Sequence, residues 1–354
     1  MSSLPYVNVA SRFTKYGVFL TVISNSLLLH LTFWYVKNIA FPYKCLIGIQ
    51  AILGILFAMT EVLVHPFLHS FNASYIFFSV DFASEEWMTL GTGLLGLYSW
   101  IYMNIICWLA IQFIFRYFLV VTPKSLSVFR GWKVLIWLTY TLLFTALWVY
   151  SLVQIAPDEE SREYLKKEME TNYEVDIRYL SSYQAVVYDT TGNVNSKAVQ
   201  GVLGFSTAIL VQYLIILHCG VYIHLGIKKT MTTTSSRTHK LHRQLFKTLV
   251  LQVTIPSIFY NSPVLLLYII MFLDLKWSMP SGVMICVISF YPAFDSLILM
   301  WMVADYNVSM KRLLYKILSR IEQVLKSSDS DDDDDDNDGQ SKTKKSTVTL
   351  ANRV

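Results

Sequence analysis

Only two acidic residues, Glu61 and Asp295, stand inside the long apolar stretches of this chain of 354 residues. A carboxyl group in apolar surroundings can bind a ligand, join two helices by a hydrogen bond or, beside a second acid, take part in acid–base catalysis. Neither residue has a second acid at its predicted depth, and no cysteine–histidine spacing fits a zinc site. The pattern therefore predicts no enzymatic activity, no bound metal and no cofactor.

The apolar stretches are long enough to cross a membrane. Of all residues, 54% are hydrophobic and 15% are charged, whereas an average soluble domain has roughly 25% charged residues. This composition excludes a soluble enzyme, a nucleic-acid-binding protein and a secreted disulfide scaffold. We predict an all-α membrane protein, a seven-transmembrane helix bundle with spans at 16–36, 45–64, 87–115, 134–156, 198–227, 248–273 and 279–304.

The basic residues are divided unequally between the two sides of these spans. No Lys or Arg lies inside a span, and one side, which includes 228–247 and the chain beyond 304, holds 21 of the 29. The other side holds eight, of which five lie in 157–197 beside nine acids. Because cytosolic segments carry the excess of basic residues, we predict that the N-terminus is outside and the C-terminus is cytosolic.

The outer loop 157–197 is longer than a simple connection needs. Residues 158–170 fit a short helix and 177–188 fit a strand or a lid over the bundle, with a flexible loop as the alternative. None of the four cysteines lies in a predicted outer loop, so no disulfide can join these loops. Asn72 begins an outer Asn-Ala-Ser sequon and is a glycosylation candidate.

The chain after the seventh span is predicted to form a helix and a tail. Residues 311–320 alternate basic and apolar positions at helical spacing, as in a short interfacial helix on the inner leaflet. The later sequence, with its run from Asp331 to Asp336, is too polar to fold. We therefore expect a transmembrane domain over 1–325, which includes this helix, and a disordered Asp-rich cytosolic tail over 326–354.

Four ordered motifs resemble the Str family of nematode seven-transmembrane chemoreceptors. They are 61–70 (EVLVHPFLHS), 112–118 (QFIFRYF), 244–256 (QLFKTLVLQVTIP) and 291–295 (YPAFD). The resemblance extends from about residue 16 to residue 311. It implies a G-protein-coupled, odorant-type chemosensory receptor in the plasma membrane, in the sensory cilium of chemosensory neurons.

Depth in the bundle selects the candidate ligand site. Tyr98, Ser99 and Tyr102 lie about 21–27 Å from the inner end of the third span, in its outer half. The residues predicted beside them or at the rim are Gln212, Tyr213, Phe259, Tyr260 and Glu61. Plain packing is the alternative for the aromatic residues, and a local pair with His65 is the alternative for Glu61. Hydroxyl donors without a nearby acid or base suit a small uncharged ligand.

Three residues are predicted to form an activation switch: Pro256, Pro292 and Asp295. Proline removes a backbone hydrogen bond and bends a helix, so Pro256 is expected to bend the sixth span. Pro292 lies one turn before Asp295, which is predicted in the inner half of the seventh span. The alternative role for Asp295 is a structural hydrogen bond to the backbone.

The resemblance also implies a surface for a G protein at the inner end of the bundle. The candidate residues are Arg116 and Tyr117 on the third span and Lys240, Arg243 and Lys247 before the sixth. Ordinary snorkelling explains Arg116 equally well, and attraction to anionic lipids explains the other basic residues.

The predicted partners are therefore a heterotrimeric G protein, a small-molecule ligand and membrane lipids, and no nucleic acid. A ligand-gated channel or a transporter is the alternative function. Against this alternative, the spans contain no inverted repeat and no ring of charge.

Overall fold

The computed structural model describes residues 4–188, 192–229, 236–275, 277–280, 283–316 and 318–323. The predicted Asp-rich tail lies outside the described residues. The chain divides into two compact units, Met1–Tyr306 and Asn307–Val354. In the described part of the second unit, 307–316 and 318–323 are helical, which includes nearly all of the helix expected over 311–320.

The first unit contains the seven-helix bundle. Its unbroken spans are α1 (Leu4–His30) with a following π turn (Leu31–Tyr35), α2 (Phe41–Val64), α3 (Met88–Val120), α4 (Leu135–Gln154) and α6 (Ser196–Lys229). Each of these five is long and apolar enough to cross a membrane by itself. The seventh span is α9 (Val283–Met302). The predicted all-α bundle is confirmed.

The sixth span is divided into three parts. They are α7 (Ser236–Pro256), a π turn (Ser257–Asn261) and α8 (Ser262–Phe272). Pro256 is the last residue of α7, and a proline cannot donate the backbone hydrogen bond that a regular helix requires. A π turn, a wider helical geometry that is common at functional positions, follows directly after Pro256, and the bend expected from this proline stays a prediction.

A small cap covers one end of the bundle, which we call the sheet end. It consists of α5 (Glu159–Tyr173) and the strands β1 (Phe67–Phe71), β2 (Ser74–Ser79), β3 (Ser181–Val186) and β4 (Ser278–Pro280). The strands form one antiparallel sheet in the order β3-β2-β1-β4. The helix expected over 158–170 and the strand expected within 177–188 are confirmed as α5 and β3, whereas β1, β2 and β4 were not predicted.

The two faces of the sheet meet different partners because successive side chains of a strand point to opposite sides. The upper face packs against α5 through Phe67, Ile76, Phe78, Val186, Leu165, Met169 and Tyr173. His69 on the same face lies 3.0 Å from Glu168 Oε1 and 3.0 Å from the Tyr173 hydroxyl. The lower face carries Leu68, Tyr75 and Phe77, which point toward the bundle.

Two glycines allow the cap to approach α3 closely. A Cβ atom at Gly91 would lie 2.3 Å from Ser181 Oγ, and one at Gly96 would lie 2.7 Å from the Tyr183 hydroxyl. The same two cap residues donate hydrogen bonds to α3, since Ser181 Oγ lies 2.9 Å from the carbonyl oxygen of Met88 and the Tyr183 hydroxyl 3.2 Å from that of Thr92. Close packing and hydrogen bonds thus join the cap to α3 without a disulfide.

We expect Gly91→Ala to destabilise the protein and Gly93→Ala to leave it intact or slightly stabilised. The added methyl group at Gly91 meets Ser181 and also Phe82 Cβ at 2.5 Å, whereas a Cβ at Gly93 meets nothing within 4 Å. Overpacking typically costs about 1–3 kcal/mol, while alanine favours a helix by up to about 1 kcal/mol over glycine. Thermal unfolding of the two purified variants measures the difference, and equal midpoints would contradict the close approach.

Candidate functional site

A cavity lies between the lower face of the sheet and the helices of the bundle. It holds about 90 Å³ of space open to the centres of water-sized molecules, several times the roughly 10–15 Å³ that one water needs. Its lining residues are Leu68, Tyr75, Phe77, Tyr98, Ser99, Tyr102, Trp148, Leu152, Ile155, Phe205, Ile209, Val264, Leu267, Tyr268, Ile285 and Ile288. The structure thus brings Tyr98, Ser99 and Tyr102 together in one cavity in the half of the bundle that the depth argument indicated.

The lining is apolar except for a few oriented hydroxyl groups. Trp148 Nε1 donates to Ser99 Oγ at 2.7 Å, which uses one of the two acceptor positions of this hydroxyl group and leaves its hydrogen as a donor. Tyr98 stacks on Phe57 with ring centroids 4.4 Å apart. No charged residue is among the described lining residues. The cavity can therefore accept a small neutral molecule and orient it by hydrogen bonds.

A hydrogen-bond network, which we call the floor network, runs from the cavity-lining residue Tyr102 to the π turn of the sixth span. Tyr102 donates to Asn261 Oδ1 at 3.1 Å, and Asn261 Nδ2 donates to the Tyr213 hydroxyl at 2.7 Å. Tyr213 also lies 2.8 Å from Ser257 Oγ. The network connects α3, α6 and the sixth span directly beyond Pro256. Sequence analysis missed Asn261, although an amide five positions after a proline in an apolar helix is a recognisable signal.

Two residues predicted at the level of the ligand lie outside the cavity lining. Tyr213 lies in the floor network, and Gln212 faces α4, where it accepts a hydrogen bond from the Tyr140 hydroxyl. Depth along a helix does not determine which way a side chain faces, and this explains why the two residues lie outside the lining. The side chains of Phe259 and Tyr260 lie outside the described residues.

Glu61 does not lie at the rim of the cavity and does not pair with His65. It is fully buried, and Thr14 Oγ1 of α1 and Ser289 Oγ of α9 lie within hydrogen-bond distance of its Oε1. His65 follows the end of α2 with a left-handed φ of 42°, so its ring leaves the helix face that carries Glu61. Its Nδ1 lies 2.5 Å from Asp81 Oδ2, and this hydrogen bond holds the pKa of Asp81 below its usual value.

The predicted switch residues of the seventh span are buried beside polar groups of other helices. Gln252 Nε2 of α7 donates to the backbone oxygen of Asp295 at 3.2 Å, and Asn25 Nδ2 of α1 donates to that of Pro292 at 3.1 Å. The helix α9 continues through Pro292 without a break. The backbone of the seventh span is thus held by amide side chains from both neighbouring sides.

A crevice opens at the other end of the bundle, which we call the crevice end. It holds about 760 Å³ open to the centres of water-sized molecules. Its lining residues are Asn38, Ile39, Ala40, Tyr43, Phe115, Arg116, Leu119, Lys240, Leu241, His242, Gln244, Leu245, Ala304 and Asp305. The crevice therefore brings the predicted residue Arg116 beside Lys240, which lies on α7.

Arg116 is buried in the wall of this crevice and does not extend to the surface. Its side chain is 3% exposed, and its guanidinium carbon lies 3.8 Å from the centre of the Tyr43 ring. Tyr43 stacks in turn on Phe115, with ring centroids 5.2 Å apart. Among the described residues, Arg116 Nε has no hydrogen-bond partner. This geometry favours a binding role over ordinary snorkelling.

The other residues predicted at this end face in different directions. Tyr117 packs against His218 and Tyr222 of α6, so it faces a neighbouring helix and is not in the crevice lining. Lys240, Arg243 and Lys247 are exposed on α7, and of these three Lys240 borders the crevice.

The glycosylation candidate Asn72 occupies the turn between β1 and β2. Its φ is 48°, a left-handed conformation that asparagine tolerates better than most residues. Its backbone N–H donates to the carbonyl oxygen of Trp277 at 3.1 Å. Asn72 thus has a structural role in the hairpin, and its glycosylation stays a prediction.

The described helices have a seven-helix fold that is also found in a solved membrane-protein structure. The crystal structure of squid rhodopsin aligns with a TM-score of 0.54, covering 90% of this chain and 87% of that chain at 11% sequence identity. At this identity the similarity concerns the fold.

The sequence determines the family. The family model described as serpentine type 7TM GPCR chemoreceptor Str matches residues 10–311, and the chain belongs to this family. G-protein coupled receptor str-33 of Caenorhabditis elegans is 33% identical over 311 residues, which cover 86% of this chain and 90% of that relative. Serpentine receptor class r-10 of the same organism is 27% identical over 316 residues, covering 87% and 91%. The resemblance inferred from the four motifs is confirmed.

Proposed function

We propose that this multi-pass membrane receptor binds a small uncharged ligand in the cavity under the sheet and activates a heterotrimeric G protein through the crevice. The observation that carries the proposal is the cavity itself, whose apolar lining offers hydroxyl donors and whose lining residue Tyr102 is hydrogen-bonded to the π turn of the sixth span. Its proposed location is the plasma membrane of chemosensory neurons, in the sensory cilium.

The floor network supports a route from ligand to helix movement. A ligand in contact with Tyr98, Ser99 or Tyr102 competes with, or reinforces, the hydrogen bond from Tyr102 to Asn261. Because Asn261 lies in the π turn after Pro256, a change there alters the angle between α7 and α8. A ligand shifts such an equilibrium only by its different affinity for the two states. Pro292 and Asp295, which contact other helices, are proposed to move with α9.

The residues in and beside the crevice are suited to bind the G protein. Arg116 offers a buried, partly unpaired guanidinium, and Lys240, Arg243 and Lys247 offer exposed positive charge on α7. A carboxylate-bearing segment of the partner fits these groups, because arginine binds carboxylates in a planar geometry. Anionic headgroups of the adjacent membrane are a second proposed partner of the exposed residues.

This proposal requires the sheet end to be extracellular and the crevice end to be cytosolic, as the distribution of basic residues indicates. We expect an epitope at the N-terminus to be accessible on intact cells and an epitope after Val354 to be accessible only after permeabilisation. Antibody binding before and after permeabilisation checks both positions. The reverse pattern would contradict the orientation and favour a channel of opposite topology.

The function is tested by expressing the chain with separate measurements of G-protein activation and membrane current while neutral odorants are screened. We expect an active odorant to stimulate nucleotide exchange on the G protein. Tyr102→Phe and Ser99→Ala should each weaken the response at equal surface level. A ligand-evoked current that persists without any G protein would overturn the proposal.

A further inference from the structure

A buried polar junction unites α1, α2 and α9 away from both cavities. It consists of Thr14, Glu61 and Ser289, each at most 1% exposed. The helices are very close at this point, because a Cβ atom at Gly17 would lie 2.8 Å from the backbone oxygen of Ser289. Glu61 Oε1 accepts from Thr14 at 3.1 Å and contacts Ser289 Oγ, while Glu61 Oε2 is buried without a hydrogen-bond partner among the described residues.

The number of available hydrogens indicates the protonation state of Glu61. Ser289 has one hydroxyl hydrogen but lies within hydrogen-bond distance of both Glu61 Oε1 and the carbonyl oxygen of Ile285, the latter at 2.8 Å. If Glu61 carries a proton on Oε1, it donates to Ser289, which then donates to Ile285. In this protonated state Glu61 Oε2 is a neutral carbonyl oxygen, which carries only a partial charge. An ionised Glu61 would instead leave half of a carboxylate charge buried without a partner, which is strongly unfavourable.

The charged groups of the neighbouring elements do not compensate a negative charge at Glu61. Lys15 on α1 is exposed and acts on Asp81. His65, one turn beyond Glu61, is bound to Asp81, and Asp295 lies further along α9. The interactions that act on the Glu61 carboxyl are its burial and the hydroxyl groups of Ser289 and Thr14.

We propose that Glu61 is a proton-binding site, in which one proton is held between α1, α2 and α9 and its release weakens the junction of these helices. The site is distinct from the ligand cavity, so it makes the stability of the receptor depend on pH whether or not a ligand is present. Glu61 lies within the last turn of α2 before the sheet end, so the proton exchanges with the medium on that side.

The direct test is infrared spectroscopy of the purified full-length receptor. We expect the carbonyl-stretch band of a protonated carboxylic acid at neutral pH, with its isotope shift in deuterated buffer. Glu61→Gln should remove this band, and Ser289→Ala should move it because the proton loses its acceptor. Asp295→Asn is the matched control, since it makes the same change in another buried acid and should leave the Glu61 band in place.

The thermodynamic test compares the pH dependence of unfolding in the parent and in Glu61→Gln. The folded parent holds a proton that the unfolded chain releases at neutral pH, so its stability should fall as the pH rises. The unfolding equilibrium constant should therefore rise relative to that of the variant by up to about tenfold per pH unit.

Three results would overturn the proposal: a carboxylic-acid band in Glu61→Gln that is unchanged from the parent's, parallel pH profiles, or failure of Glu61→Gln to fold. The last result counts against it because glutamine is the neutral isostere of the proposed state. None of these results bears on odorant screening, so the proton site and the proposed receptor function can fail separately.

Discussion

Arg116→Ala is expected to weaken G-protein activation by about 30-fold or more in affinity while the protein still reaches the surface and binds ligand. The guanidinium stacks on Tyr43 inside the crevice, and the ligand cavity lies in the other half of the bundle. Arginine residues buried in an interface commonly contribute about 2 kcal/mol or more, which corresponds to roughly 30-fold in affinity. Nucleotide exchange at increasing G-protein concentration, with surface level measured in parallel, checks the expectation.

Two controls distinguish the proposed contact from a general effect of charge. Arg116→Lys keeps the charge but loses the planar group that stacks on the ring, so it should give a partial loss. Arg130→Ala removes an exposed charge near the same end without altering the crevice lining and should behave like the parent. Normal activation by Arg116→Ala at equal surface level would rule out the crevice as the contact site.

Asn261→Leu is expected to lower ligand potency by roughly 5–150-fold, the usual range of coupling between two sites. The substitution removes the amide that joins Tyr102 to Tyr213, so the hydrogen-bonded link between α3, the π turn and α6 is lost. Concentration–response curves for an odorant identified in the screen measure the change.

The matched control for Asn261→Leu is Asn104→Leu, because Asn104 is a buried asparagine whose amide bonds within its own helix, to the carbonyl oxygen of Trp100 at 2.9 Å. It should change potency little. Equal effects of the two substitutions would show that loss of any buried amide is harmful and that the floor network has no special role.

The number and approximate position of the spans could be predicted because membrane insertion leaves a strong signal in composition. The helix α5 could also be predicted, because Asp158 and Ser161 form a capping box that marks its start in the local sequence. The sheet is different. Strand β2 pairs with β3, about a hundred positions away along the chain, and β1 pairs with β4, about two hundred positions away. Such distant pairing leaves little trace in a single sequence.

The candidate site was predictable in depth but not in direction. Counting residues from Arg116 placed Tyr98, Ser99 and Tyr102 at the cavity, because the helical rise is fixed. The same counting could not show that Gln212 turns toward α4 or that Glu61 turns toward α1 and α9, since rotation is set by packing between helices. Asn261 was missed for the related reason that its partners come from two other spans.

The lower face of the sheet, which lines the cavity, is a convenient surface for engineering odorant sensors because the upper face alone packs against α5. Leu68, Tyr75 and Phe77 face the cavity, whereas their neighbours along the same strands hold α5. A combinatorial library at these three positions would reshape the space above the ligand while the residues that fold the cap stay unchanged. Changes in function and losses of stability often accompany each other in engineered proteins. Here the residues that face the cavity and the residues that pack against α5 alternate along the same strands, so the first set can be changed without the second.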